Sequence, residues 1–116
     1  MSTHRWITVP GKRLRILIGE AVEWQGHPAY RVIAKQAQQH GALAVLISRG
    51  IEGFGPRHHL ETERFVEVSV NLPISIEILD TIEHIEQVLM PLAPILREHL
   101  VTLTPVELLL EETTGN

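Results

Sequence analysis

Leu14, Ile16 and Ile18 alternate with Arg13, Arg15 and Leu17, and this period-two pattern predicts a β-strand ended by Gly19-Glu20. Trp6 to Val9 predict a short strand before it, set off by a Pro10-Gly11 turn. Pro28 suits the first turn of a helix, Tyr30, Ile33, Ala34 and Ala37 recur at helical spacing, and Gly41 falls where a C-terminal glycine belongs; a helix is predicted over 28–40. Residues 42–47 are apolar on both faces and predict a strand covered on both sides, central in its sheet. Two further alternations follow, Val66, Val68, Val70 and then Ile74, Ile76, Ile78, with Asn71-Leu72-Pro73 between them. Pro73 donates nothing to a ladder, so this stretch is one strand with a bulge or two strands meeting at a bend.

The next pattern is helical. Asp80 and Glu83 have the spacing of an N-cap and its partner, and Ile82, Ile85, Leu89 and Leu92 line one face. Pro91 and Pro94 predict an end or kink near Met90. A last strand is predicted over 101–110, with Pro105 placing it at an edge or bulge, and 111–116 read as a loose tail. The order is strand, helix, strand, loop, strand, helix, strand. That is the split β-α-β arrangement of an α+β, ferredoxin-like domain (β-α-β-β-α-β), an antiparallel sheet with two helices on one face. The other face needs cover where Leu17, Leu46, Phe65 and Leu79 fall on it, and self-association would supply it.

The 116 residues suffice for one domain and not two, so 1–116 is read as a single unit. With 44% hydrophobic but only 4% aromatic residues, the core must be built from aliphatic side chains. A net charge of −4 argues against a general nucleic-acid surface. No apolar run approaches the roughly 20 residues of a spanning helix and the first residues lack a signal-peptide pattern, so a cytoplasmic protein without direct membrane insertion is expected. The absence of Cys removes thiol catalysis, disulfides and thiolate metal sites.

Chemistry concentrates in Arg49-Gly50-Ile51-Glu52-Gly53-Phe54-Gly55-Pro56, where three glycines and a proline follow a strand directly. Glycines so close together suit a loop shaped for backbone approach to a ligand; a plain strand connection with one aromatic anchor is the alternative. His58-His59 with Glu52 are candidate divalent-metal ligands or members of an enzyme site, although adjacent side chains diverge in an extended loop and no known ligand spacing surrounds them. Glu52 with Arg49 or Arg57 reads first as a salt bridge. Ser48 and Ser69 have no His and acid at readable spacing, and no Gly-Lys-Ser/Thr phosphate loop occurs, so no catalytic residue, resident metal or cofactor is assigned. His40 reads as a solvated helix-end residue, and Trp24 as either a recognition residue or one covered at a subunit rim.

Gly19-Glu20, Gly26-His27-Pro28-Ala29-Tyr30, 49–55, 71–80 and Leu100-Val101-Thr102-Leu103 together resemble domain of unknown function family 190, which is similar to the PII signalling proteins. The resemblance covers about 12–110, and Gly50-Ile51-Glu52-Gly53-Phe54-Gly55 is its most specific part. It implies a homotrimer with sheets packed inward and a long effector loop after the second strand, but no known activity; a non-enzymatic regulator is the leading reading, and a small ferredoxin-like metal-handling protein or enzyme using the loop histidines is the alternative. Such a regulator would bind a small molecule or nucleotide in inter-subunit clefts and present an effector loop, 51–62, to a partner protein such as a membrane transporter or enzyme. The ligand-contacting residues it implies are Arg49, Gly50, Glu52, Gly53, Phe54, Gly55, Arg57 and Asn71. The chain departs from PII proteins proper in three places, the first being Arg57, which lies near the place of a glutamine at the base of their effector loop without matching it. Ile74 stands where they carry a lysine, and 91–100, broken by prolines and apolar, hold no glycine and one arginine, Arg97, where they carry a basic Gly-rich loop. Each missing cation removes a charge-assisted phosphate contact of roughly 1.5–3 kcal/mol, so weak ATP binding is expected.

Overall fold

A computed structural model describes residues 3–50, 52–53, 61–62 and 71–114. The elements are β1 (Thr3–Gly19), β2 (Glu23–Trp24), β3 (His27–Pro28), α1 (Ala29–Gln39), β4 (Ala44–Arg49), β5 (Glu52–Gly53), β6 (Glu61–Thr62), β7 (Pro73–Thr81), α2 (Ile82–Leu96) and β8 (Leu100–Thr114). One sheet has the order β4-β7-β1-β8 with every neighbouring pair antiparallel. β1 and β4 thus run parallel with β7 inserted between them, which is the split β-α-β connection and makes the domain ferredoxin-like. The expected strand over 66–70 lies outside the described residues.

Alternation decides which face is covered. Leu14, Ile16 and Ile18 on β1 and Ile74, Ile76 and Ile78 on β7 are buried. They pack against Ile33 and Ala37 of α1 and Ile85, Val88, Leu92 and Ile95 of α2, residues spaced by three and four so that one stripe of each helix faces the sheet. On the opposite face stand Arg13, Arg15 and Leu17 of β1, Ser75, Glu77 and Leu79 of β7, and Leu46 of β4; no element of the described chain lies over them. Glu77 accepts hydrogen bonds from the Nε (3.0 Å) and Nη2 of Arg15, and Arg13 Nε lies 3.9 Å away.

Expectations at β4, at Pro10-Gly11, at the end of α2 and at the end of the chain need correction. β4 is an edge strand and not a central one, because the crossover skips a place that β7 fills; Leu46 on its open face is 57% exposed. Pro10-Gly11 is not a turn, since β1 runs straight through it. There β1 pairs only with β8 before Gly11 and gains β7 from Gly11 onward, so Pro10 has no partner strand on its second side. Gly11 lets the strand pass the end of β7, as a Cβ there would lie 2.6 Å from the Asp80 carbonyl oxygen. α2 continues through Pro91 and Pro94 to Leu96. The carbonyls that lose an N–H donor belong to Gln87 and the exposed Met90, while buried Leu92, Ile95 and Leu96 hold the last turns on the sheet. Finally, β8 extends to Thr114, pairing with the start of β1 where a loose tail from 111 was expected.

α1 ends as its sequence predicts: Gly41 N–H bonds to Gln38 C=O and Ala42 N–H to Ala37 C=O, a Schellman closure with Gly41 at φ 78°. α2 begins one residue later than expected. Thr81 is its N-cap, its hydroxyl accepting from His84 N–H at 3.3 Å. Asp80 instead joins three segments. Buried at 4% exposure, it accepts from Thr81 N–H (2.8 Å) and Leu43 N–H (3.3 Å) and lies 2.5 Å from His84 Nδ1. It ties the α1–β4 connection to the start of α2.

Asp80→Ala is therefore expected to cost roughly 2–3 kcal/mol in urea unfolding, against about 1 kcal/mol for Thr81→Ala. Equal or reversed losses would contradict the tie. The Arg15 hydrogen bond, helped by the Arg15 and Arg13 charges, holds the Glu77 carboxyl below its ordinary value of 4.5 against an opposing desolvation. A depressed folded value means that ionised Glu77 adds stability above 4.5, which is lost as pH falls through the folded value. Between about pH 6 and about pH 3, Tm should fall less steeply for Glu77→Gln than for the parent chain. Parallel curves would remove Glu77 from the account.

Candidate functional site

β1 and β4 end, and β7 begins, at the same end of the sheet, so the ends of the 51–70 segment are set by three strands. Gly50 N–H donates to Pro73 C=O at 2.8 Å and Glu20 N–H to Leu72 C=O at 2.8 Å. Leu72 itself is fully buried and anchors the return of the chain. Asn71 Oδ1 accepts from Ala21 N–H at 2.8 Å, which ties the turn after β1 to the start of β7. This contact needs glycine at position 19, where a Cβ would stand 2.2 Å from Asn71 Oδ1.

Arg49 points to the helix side of the sheet, its Nε 3.1 Å from Glu20 Oε1, with about half of its side chain exposed. Glu20 was not among the candidate residues, although it stands in the Gly19-Glu20 block that carries the resemblance. A pair of opposite charges at the strand ends, one half-exposed, can exchange its internal contact for one to an incoming anion at low cost, because exposed pairs are worth only about 0–1 kcal/mol.

Of the expected site residues, Arg49, Gly50 and Asn71 are brought together at this base. Asn71 has a structural role there, with its amide oxygen occupied by Ala21. Glu52 and Gly53 form β5, a two-residue ribbon with β6 in which Glu52 is opposite Thr62 and Gly53 opposite Glu61. Phe54, Gly55 and Arg57 lie outside the described residues, as do His58 and His59. Among the described residues no group of three His, Asp or Glu side chains is placed to hold a metal ion. Ile74 is buried on the covered face opposite Ile18 and Arg49, so its side chain is part of the core and out of reach of a ligand. The basic Gly-rich loop of the PII pattern is replaced by the last turns of α2 and a short turn at 97–99, which Glu98 enters at φ 73°.

Trp24, His40 and His84 lie elsewhere on the scaffold. Trp24 sits on the β2–β3 hairpin, whose turn residues Gln25 and Gly26 have φ of 50° and 82°, and it packs half-buried against the core. His40 is the exposed C-cap of α1, and His84 belongs to the Asp80 tie.

The chain matches DUF190, a family described as an uncharacterized ACR, over residues 11–108. It is 32% identical over 91 residues to UPF0166 protein MJ1524 of Methanocaldococcus jannaschii, a match covering 78% of this chain and 83% of that protein. Its fold is similar to CPII, a nitrogen regulatory PII-like protein from Thiomonas intermedia K12 solved with ADP, AMP and bicarbonate; the TM-score is 0.61 at 15% identity, covering 90% of this chain and 91% of CPII. It is also similar to B. subtilis GlnK in its ATP complex, with a TM-score of 0.53 at 13% identity, covering 84% of this chain and 82% of GlnK. Among the described residues no helix is long and apolar enough to cross a membrane. With β4, β7, both helices and the parts of β1 and β8 that pair beside them inside the matched span, the chain belongs to the DUF190 family and has a PII-like fold.

Proposed function

We propose that this protein is a non-enzymatic PII-like regulator acting in the cytoplasm. It binds a small anion or a nucleotide with few phosphates beside Arg49, in clefts between subunits of a homotrimer, and uses the 51–62 loop to contact a partner protein. The observation that carries the reading is the base of that loop, where Gly50–Pro73 and Glu20–Leu72 hydrogen bonds fix the backbone while the Arg49–Glu20 pair stays half-exposed. A fixed backbone carrying an exchangeable cation suits a site whose occupancy is reported by the loop above it. The uncovered sheet face supports the trimer: Leu46 is 57% exposed and the Arg13–Arg15–Glu77 cluster lies beside it with nothing of the described chain over it.

Ligand choice follows from the cations present. Ile74 is buried and the turn at 97–99 is short, so two charge-assisted phosphate contacts of about 2 kcal/mol each are missing, a weakening of about a thousandfold. Calorimetry should therefore give ATP a dissociation constant weaker than low micromolar in the absence of a partner. AMP, ADP and bicarbonate are the first probes by thermal shift, since a ligand at 100 times its Kd stabilises by about 2.7 kcal/mol. A shift with one of them that is lost in Arg49→Ala is the expected result. Failure of all three to stabilise the chain would overturn the ligand-binding part of the reading. Light scattering should give three times the chain mass of 13.1 kDa, and a particle of 13.1 kDa would overturn the trimer.

A further inference from the structure

β1 and β8 leave the sheet together. From Thr3 to Pro10, β1 pairs with β8 alone, so these residues and 107–114 form a two-stranded ribbon that runs about 26 Å beyond the end of β7. It lies at the end of the sheet away from Gly50 and Asn71, and most of it falls outside the family match at 11–108, on both sides of that span at once. Ribbons of two strands are marginal in water, and this one has apolar side chains on both faces, with Trp6 and Leu109 65% and 61% exposed on one of them.

The other face of the ribbon says what covers it. Alternation along β1 puts Ile7 and Val9 on the same side as Arg13, Arg15 and Leu17, and the register places Leu110 opposite Ile7 and Leu108 opposite Val9. The row Ile7, Val9, Leu108 and Leu110 is thus a direct continuation of the uncovered sheet face. Its charges are confined to the tip, where Arg5 Nη2 and Glu112 Oε1 pair at 2.8 Å and leave the row itself uncharged. An uncharged row continuous with a face that closes by self-association must be covered by the same kind of molecule, and closed symmetry brings identical faces of successive copies around one axis.

We infer that the ribbon is a subunit clasp, in which the row Ile7, Val9, Leu108 and Leu110 packs against the same row of neighbouring copies of this chain and extends the assembly interface beyond the family's common domain. The inference rests on the proposed inward-facing trimer. It adds a second, separable contact, since none of the four side chains belongs to the core cluster that holds each chain together.

The absence of cysteine makes the test direct. In the full chain, Leu110→Cys should form interchain disulfides under a mild oxidant, while Met90→Cys, on the outer side of α2 and 75% exposed, should stay unlinked. The double variant Ile7→Ser/Leu110→Ser should keep its unfolding transition but dissociate at a concentration at least about tenfold higher than the parent, because two buried aliphatic contacts are lost. If the full chain assembles yet Leu110→Cys does not link and the double variant dissociates no sooner, the clasp is overturned and the trimer stands. If the full chain is a monomer at every concentration, both fall.

Discussion

Burial of one face of one sheet governs this molecule. Leu14, Ile16 and Ile18 beside Ile74, Ile76 and Ile78 form an aliphatic ladder across β1 and β7, and both helices exist where they do because they cover it. With so few aromatic residues, the ladder relies on many small contacts between branched side chains in place of a few large ones. Because a strand has only two faces, this burial leaves the alternate residues on the other side, and the open face, the Arg–Glu cluster and the ribbon all follow from it.

The candidate site depends on the same constraint at one remove. Strand ends that are fixed by the ladder put Glu20, Arg49, Gly50 and Asn71 within a few residues' reach of one another, although they are distant in sequence. Asn71 and the glycine at 19 work as one unit: the side chain fills the space that the glycine leaves and bonds the backbone just beyond it. That arrangement commits a polar side chain to structure and leaves Arg49 as the cation able to change partners.

Much of this could be read from the chain, where the signal is local. α1 was legible from Pro28 to Gly41 because a helix start and a Schellman closure are made by neighbouring residues, and the β1 and β7 ladders were legible because period two is a property of single strands. The edge position of β4 was not, since its apolar run is the same whether β7 or solvent lies beside it. Pro91 and Pro94 misled for a related reason: local propensity disfavours a helix there, and only the packing of Leu92, Ile95 and Leu96 against the sheet overrides it. Of the site, Arg49 and Gly50 were legible from the glycine-rich block, but the Arg49–Glu20 pair joins residues that only the fold brings together.

The two hydrogen bonds that pin Gly50 to Pro73 and Glu20 to Leu72 also separate the fate of the segment between positions 50 and 72 from that of the scaffold. A connection whose ends are already held pays mainly for closure, and closure grows so slowly that doubling its length costs only about 0.6 kcal/mol. Insertions and exchanges can therefore accumulate between these anchors while the sheet remains folded. An exchange between these anchors would change what the protein holds out from the sheet while leaving the chassis beneath it intact.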